Sequence, residues 1–276
     1  MLEVHDARIP FSGRNAEFHY ALTSAKPSIL VLNKKDLIEK EQHAKIMKKL
    51  KQDSDYPVEN IFMTNCKDQM CTGLKKIVPK AIDLIRSSDR FNRSEEKEHS
   101  IMIIGVPNVG KSSLVNVLRN RHLNKKGASH VGAVAGITRS VLTRIKVCED
   151  PLVFILDTPG VMPPNIKNPE MGMKLALCSC FQDHLVGMEH IADYLLYWLN
   201  KQKKFSYCDE LGLDDPTDDI TLALLACVKK YGLMLNIKSC ISNQYEIKPD
   251  MAGAARLFVS KFRNGVFGKV VLDRVE

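Results

Sequence analysis

Apolar and polar positions along the chain follow two regimes. In the first, short apolar runs alternate with helical periodicity. Residues 29–32 form an apolar run that enters Asn33-Lys34-Lys35-Asp36, the pattern of a buried strand followed by a loop. Residues 39–51 place Ile46, Met47 and Leu50 at helical spacing. Residues 61–63 read as a strand, and 74–85 as a helix with Leu74, Ile77, Val78, Ile82 and Ile85 on one side. Residues 100–105 predict a strand and 112–121 a helix. Residues 141–147 and 152–157 predict two strands about a turn at 148–151. The polar stretch 86–99 lacks periodicity and reads as a linker. Strands alternating with helices predict an α/β domain with a mainly parallel sheet. From about residue 171 the pattern turns helical, with helices over 191–199, which carries Trp198, over 220–228 and over 252–262. Only 269–272 gives a strand signal there. The chain is therefore expected to divide into an α/β domain over 1–171 and a smaller helical domain over 172–276.

Composition changes this picture little. The 276 residues are 45% hydrophobic and 26% charged, which argues against disorder and against a coiled coil. No apolar run approaches the roughly 20 residues of a membrane span. The net charge of +8 fits either contact with a polyanion or simple solubility. The eight cysteines form no pair of C-x-x-C motifs and precede no histidine pair at zinc spacing. They read as reduced, mostly buried thiols, with Cys178 and Cys180 two apart on a helix. The first residues show neither a signal-peptide core nor a transit segment. The chain enters a strand almost at once, which points to residues upstream of Met1.

The chemistry concentrates in three motifs. Gly105-Val-Pro-Asn-Val-Gly110-Lys111-Ser112-Ser113 fits G-x-x-x-x-G-K-[ST], placed between a strand and an amphipathic helix. Such a loop wraps a phosphate chain with backbone N–H groups that side chains would obstruct. The following helix aims its unpaired N–H groups and partial positive charge at the same anion. Asn108, Val109, Gly110, Lys111, Ser112 and Ser113 are thus candidate nucleotide contacts. Lys111 faces the β- and γ-phosphates, and the Ser112 hydroxyl is a candidate Mg²⁺ ligand.

Asp157-Thr-Pro-Gly160 closes the apolar run 152–156. Asp157 is placed to reach Mg²⁺ through a water, and Gly160 to offer its N–H to a γ-phosphate. Between these motifs, residues 127–143 are rich in Gly, Ala and Ser and carry Thr138. Thr138 is either a second hydroxyl ligand of Mg²⁺ on a switch loop or the start of the next strand.

Asn33-Lys34-Lys35-Asp36 fits N-K-x-D after a strand. A carboxylate at Asp36 can accept from guanine N1 and its exocyclic amine, a donor pair that adenine lacks. Asn33 can bond the purine edge, and the Lys34 stem can lie along the base. With a phosphate loop in the same chain, the nucleotide implied is GTP or GDP. In Ras-like GTPases the phosphate loop precedes N-K-x-D; here the order is reversed. A cut and rejoined chain can still build that sheet, because domain termini often lie close together.

This order resembles the circularly permuted GTPases. The opening Val4-His-Asp6-Ala-Arg8-Ile-Pro10 with Ser12-Gly-Arg14-Asn15 resembles their YlqF/RbgA branch. So do Gly253-Ala-Ala-Arg256, Phe262-Arg263 and residues 265–268. The run Val131-Gly-Ala-Val-Ala-Gly-Ile-Thr-Arg139 is most similar to the branch's mitochondrial members; a bacterial-type cytoplasmic member is the alternative. The resemblance implies a circularly permuted Ras-like P-loop GTPase domain with a smaller C-terminal helical domain. It implies assembly of the large ribosomal subunit, with that subunit and its rRNA as partners. It also implies a mitochondrial location, in the matrix or peripherally at the inner membrane, and no DNA partner. The basic residues Lys201, Lys203, Lys204, Arg256, Lys261, Arg263, Lys269 and Arg274 suit phosphate contacts on RNA, or simply a solvated face.

Departures from the family concern hydrolysis and the base pocket. Thr64-Asn65-Cys66 stands where the family reads Ser-Ala, so Asn65 is the base-side candidate. The family's upstream segment, with a histidine implicated in hydrolysis, has no counterpart in the sequence, and that segment would also hold a targeting signal. Val161 follows Gly160 where Ras-like enzymes carry the water-orienting glutamine. Water positioning then falls to the Thr138 backbone, with charge neutralised by Lys111, Mg²⁺ and K⁺. Asn108 is either a K⁺ ligand, as its position in the family implies, or a turn residue. A low intrinsic rate is expected. A nucleotide-gated ribosome-binding scaffold with negligible hydrolysis is the competing reading.

Overall fold

The structure is a computed structural model. It describes residues 1–14, 26–53, 58–88, 96–124, 143–160, 166, 168–238 and 245–275. The described residues form two units, Met1–Cys180 with Lys269–Glu276, and Phe181–Gly268.

The first unit is built on a six-stranded sheet of order β3-β2-β1-β4-β6-β5. Its strands are β1 (Leu2–Asp6), β2 (Ile29–Asn33), β3 (Ile61–Met63), β4 (Glu98–Ile104), β5 (Thr143–Cys148) and β6 (Leu152–Asp157). Neighbours pair in parallel except β5 with β6, which are antiparallel. Both faces of β1 and β2 are buried, as expected of central strands in a parallel sheet.

Helices α1 (Lys40–Gln52), α2 (Thr72–Arg86), α3 (Lys111–Leu123) and α4 (Pro169–Leu177) belong to this unit. α1 buries Ile46 and Leu50, one turn apart, into a cluster with Ala7, Leu30, Leu32 and Ile38. Full burial of each such side chain stabilises by about 1.5–3 kcal/mol. α2 buries Leu74, Ile77, Val78, Ala81 and Ile82 along one stripe. It sits so close to β3 that a Cβ on Gly73 would lie 2.1 Å from the Met63 carbonyl oxygen.

The second unit holds α5 (Asp183–Val186), α6 (Met188–Lys201), α7 (Ser206–Leu211), α8 (Ile220–Tyr231) and α9 (Met251–Arg263). Its core stacks Tyr207, Phe258 and Phe267, with ring centroids 6.3 and 5.3 Å apart. Asp219 caps α8 by accepting from Thr221 N at 2.7 Å, and Gly232 closes the helix in the left-handed conformation at φ 64°.

Several expectations need correction. The boundary falls after Cys180 rather than at 171, because α4 buries Leu175, Ala176 and Leu177 within the first unit. Cys178 and Cys180 are not on a helix. α4 ends at Leu177, and Ser179 takes φ 62° in the turn that follows. The strand signal at 269–272 is instead an extended tail that returns to the first unit. There Val270 N donates to Leu37 O at 2.8 Å and Leu272 N to Arg8 O at 2.8 Å. The helical unit also contains a hairpin, β7 (Met234–Lys238) with β8 (Tyr245–Pro249), whose residues are exposed on both faces. Burial patterning gives no clue to a strand exposed on both faces. The linker expected at 86–99 contributes His99 and Glu98 to β4, and its residues 89–95 lie outside the described set.

Candidate nucleotide-binding site

Parallel pairing brings the C-terminal ends of β2, β1, β4 and β6 to one edge of the sheet. All three motifs sit on that edge, where open α/β sheets bind ligands.

Residues 105–110 cross from β4 to α3. Gly105 has φ 146° and packs so closely that a Cβ would lie 2.2 Å from Val4 O. Gly110 caps α3 at φ 99°. A side chain there would be strained by the backbone and would strike Asn33 Nδ2 at 2.3 Å. Both glycines are therefore required by the cradle itself. Lys111 is 7% exposed, and its Nζ donates to the carbonyl oxygens of Gly105 and Val106 at 3.0 Å each. Burial lowers its pKa to about 8, against an opposing pull from Asp157. A buried ammonium curled back on its own loop is well suited to an entering phosphate.

Ser112 Oγ donates to Asp157 Oδ2 at 3.3 Å. A hydroxyl and a buried carboxylate in contact at the start of α3 fit the oxygen donor set of Mg²⁺. Thr158 Oγ1 donates to Ile103 O at 2.6 Å and fixes the exit of β6. Gly160 lies against the phosphate loop, where a Cβ would meet Pro107 N and Cα at 2.7 Å. That close approach lets its backbone reach the cradle.

The N-K-x-D segment is hydrogen-bonded to the phosphate loop despite its distance in sequence. Asn33 is 3% exposed, and its Nδ2 donates to Val109 O at 2.9 Å. Its Oδ1 accepts from Thr64 Oγ1 at 3.3 Å and Cys66 N at 3.2 Å. Asn33 thus ties the segment to two neighbouring loops rather than presenting its amide to solvent. Lys34 takes φ 60°, and its Nζ donates to Asn108 O at 2.9 Å. Asp36 is exposed on a single 3-10 turn, Lys35–Leu37, anchored by buried Leu37. Lys35 N donates to Thr64 O at 3.0 Å. Asn65 Oδ1 accepts from Lys67 N at 2.9 Å, so the side chain closes its own turn. Burial pushes the neighbouring Cys66 thiol up to about 12 and keeps it neutral.

Asn108 stands at φ 58°, and its Nδ2 donates to Ser179 O at 2.8 Å. The amide is thereby oriented. Ser113 follows Ser112 in the first turn of α3. Thr138 and Val161 lie outside the described residues.

Sequence reasoning gave no role to three groups found here. Asp6 is fully buried and receives Arg8 through N, Nε and Nη2 at 3.0, 3.0 and 2.8 Å. Lys34 Nζ lies 2.9 Å from Asp6 Oδ2. Burial alone would raise the Asp6 carboxyl, but Arg8 and Lys34 outweigh it and hold it well below the usual carboxylate range. Asp273 of the returning tail accepts from Phe11 N, Ser12 N and Ser12 Oγ at 2.8, 2.9 and 2.5 Å. An Asp and an Arg two residues apart at the end of a strand were the available signal for the first pair.

Comparison with known proteins decides the family. Residues 100–223 match the family described as 50S ribosome-binding GTPase. The chain is 57% identical over 273 residues to "Mitochondrial GTPase 1" of Aedes aegypti, covering 99% of this chain and 86% of that protein. It is 48% identical over 277 residues to "Mitochondrial ribosome-associated GTPase 1" of Mus musculus, covering 99% and 83%. The chain belongs to the mitochondrial GTPase 1 family. Among solved structures, GNP-bound YlqF from T. maritima matches with a TM-score of 0.59 at 22% identity, covering 100% of this chain and 92% of that one. The GDP-bound structure of TM YlqF matches with a TM-score of 0.57 at 21% identity, covering 99% of this chain and 93% of that one. These likenesses show the permuted GTPase fold. With the family come guanine-nucleotide binding and a mitochondrial location. Among the described residues, no helix is long and apolar enough to cross a membrane.

Proposed function

We propose that this chain is a GTP-dependent switch that binds the large subunit of the mitochondrial ribosome, assists its assembly in the matrix, and hydrolyses GTP to GDP and phosphate. The observation that carries this reading is the bond from Asn33 Nδ2 to Val109 O, which joins a guanine-type motif to a phosphate cradle in permuted order. Support for the ribosomal partner comes from the relatives' names and the family description. The net charge of +8 suits an RNA surface. Lys261 and Arg263, assigned to that surface, are held in close ion pairs within the second unit, however. Lys261 Nζ pairs with Glu210 Oε2 at 2.7 Å, and Arg263 forks onto Asp183 at 2.8 and 2.6 Å. Lys201, Lys203 and Arg256 are exposed; Lys201 Nζ bonds the Tyr197 hydroxyl at 3.1 Å and Arg256 lies 3.8 Å from Asp250, so these three are the better candidates for phosphate contacts. Peripheral contact with the inner membrane is compatible with the same basic character.

In this reading the backbone of 105–110 and Lys111 hold the β- and γ-phosphates. Asp36 accepts from guanine, and the Lys34 stem supports the base. Ser112, Asp157 and Thr138 would hold Mg²⁺, which would supply positive charge against the phosphates. Gly160 offers its N–H to the γ-phosphate. An apolar Val161 cannot orient water, so the intrinsic rate is low and stimulation comes from the ribosomal particle in trans. In single-turnover assays, large mitochondrial subunits are expected to accelerate hydrolysis at least tenfold, a change of about 1.4 kcal/mol in the barrier. No acceleration would favour the scaffold reading, in which Val161 reflects dispensable hydrolysis.

Asn108 carries a separate prediction. With its amide oriented by Ser179, the oxygen can assist a K⁺ beside the phosphates. Hydrolysis by the native chain is expected to run several-fold faster in K⁺ than in Na⁺, and Asn108→Ala to abolish the difference. Equal rates in both salts for the native chain would remove K⁺ from the mechanism.

A further inference from the structure

β1 lies between β2, which delivers the N-K-x-D segment, and β4, which delivers the phosphate loop. Its last residue, Asp6, is in register with Asn33, and the next backbone N–H, from Ala7, donates to Asn33 O at 2.8 Å. Asp6 therefore sits at the seam of the two nucleotide-binding loops. Its carboxylate is shared unequally. Oδ1 takes the Arg8 backbone N–H and Nε, while Oδ2 takes Arg8 Nη2 and the Lys34 ammonium.

The Arg8 pair alone would satisfy the buried charge. Removing an ion pair from water is rarely a net gain in stability, so a second cation drawn to the same carboxylate calls for another explanation. The Lys34 side chain is 28% exposed and could relax into water without leaving a buried charge behind. Instead its ammonium is held between Asp6 Oδ2 and Asn108 O, both at 2.9 Å. With both ends of the side chain fixed, the aliphatic stem between them is restricted before any base arrives. Restricting a flexible lysine in advance removes part of the ordering cost of binding.

We propose that Asp6 is a positioning residue for guanine-nucleotide affinity, acting through Lys34, with Arg8 holding the Asp6 carboxylate in the orientation that Lys34 needs. The effect falls on the base side of the nucleotide. It therefore changes GDP and GTP affinity by the same factor and leaves their ratio alone. The inference rests on guanine-nucleotide binding and not on hydrolysis or on the ribosome, so its test and theirs fail independently.

The test is a double-mutant cycle on the full chain, reading equilibrium dissociation constants for GDP and GTP. Asp6→Asn keeps an acceptor for the Arg8 backbone N–H but puts an amide nitrogen where Lys34 now binds. Lys34→Met keeps the stem and removes the ammonium. Asp6→Asn is expected to weaken both nucleotides about tenfold, the scale of one hydrogen bond to a charged group. In the Lys34→Met background the same change is expected to cost less than about twofold, because the group it acts through is gone. An equal loss in both backgrounds would show that Asp6 only maintains the fold and would overturn the proposal. No loss in the native background would overturn it as well. A second measurement needs no folded Asp6 variant. In the native nucleotide-free chain at neutral pH, the Lys34 ammonium protons, observed through the ¹⁵Nζ resonance that is absent from Lys34→Met, are expected to exchange slowly with solvent. Exchange as fast as that of surface lysines would refute the anchoring.

Discussion

Replacing Lys111 by methionine is expected to lower single-turnover GTP hydrolysis about 10²–10³-fold, the usual cost of removing one preorganised charge from a phosphoryl-transfer site. The side chain is buried, and its ammonium is held by Gly105 O and Val106 O in the loop it closes. Methionine fills much of the same space, so the loss is chemical rather than a collapse of the loop. pH dependence provides a second readout. Burial lowers the Lys111 pKa to about 8 in the nucleotide-free chain, and a bound phosphate raises it again. Binding therefore takes up a proton above pH 8. Nucleotide affinity is expected to be flat below about pH 7 and to fall as pH rises through 8, approaching about tenfold per unit. The Lys111→Met variant lacks this fall. A native affinity that stays level from pH 7 to 9 would show that the lysine remains charged throughout.

The second large effect concerns the base. Asp36→Asn is expected to weaken GTP about 10²-fold, since a carboxylate accepting two N–H bonds is replaced by an amide that offers a donor to one of them. The same amide suits xanthine, which carries a carbonyl where guanine has its amine. Affinity for xanthosine triphosphate should rise as that for GTP falls. Asp36 is exposed on a turn held by buried Leu37 and Ile38, so thermal stability should change little. Competition between the two triphosphates checks this, and an unchanged preference for GTP would move base recognition elsewhere.

The motifs are readable in sequence because each follows a short apolar run of strand length that ends at a turn or loop signal. β2, β4 and β6 end in Asn33, in the Gly105 loop and at Asp157, and the structure brings all three to one sheet edge. The Asp6 network was hidden because Leu2-Glu-Val-His-Asp alternates like a strand with one wet face. As a central strand it buries both, leaving Glu3, His5 and Asp6 at 6, 2 and 0% exposure. His5 Nε2 and Glu3 Oε1 compensate each other at 2.9 Å, and Asp6 turns to Arg8 and Lys34. Asn65 stands on a loop expected to act mainly through its backbone N–H groups, and its side chain closes the loop's own turn. The tail at 269–275 resisted reading for a different reason. Its partners are Leu37, Arg8, Phe11 and Ser12, which no local pattern connects to it.

That tail bears on the order in which the molecule can be made. Val271 and Val275 pack against the cluster of Leu30, Leu32, Ile46 and Leu50, and Asp273 secures the turn after β1. A chain synthesised or imported from its N-terminus presents the sheet and its motifs first, then the whole second unit, and only then these residues. Until the whole second unit has emerged, the nucleotide-binding unit lacks these packing residues. The segment that appears earliest is thus completed latest, and nucleotide present during folding would act on a core still waiting for its final piece.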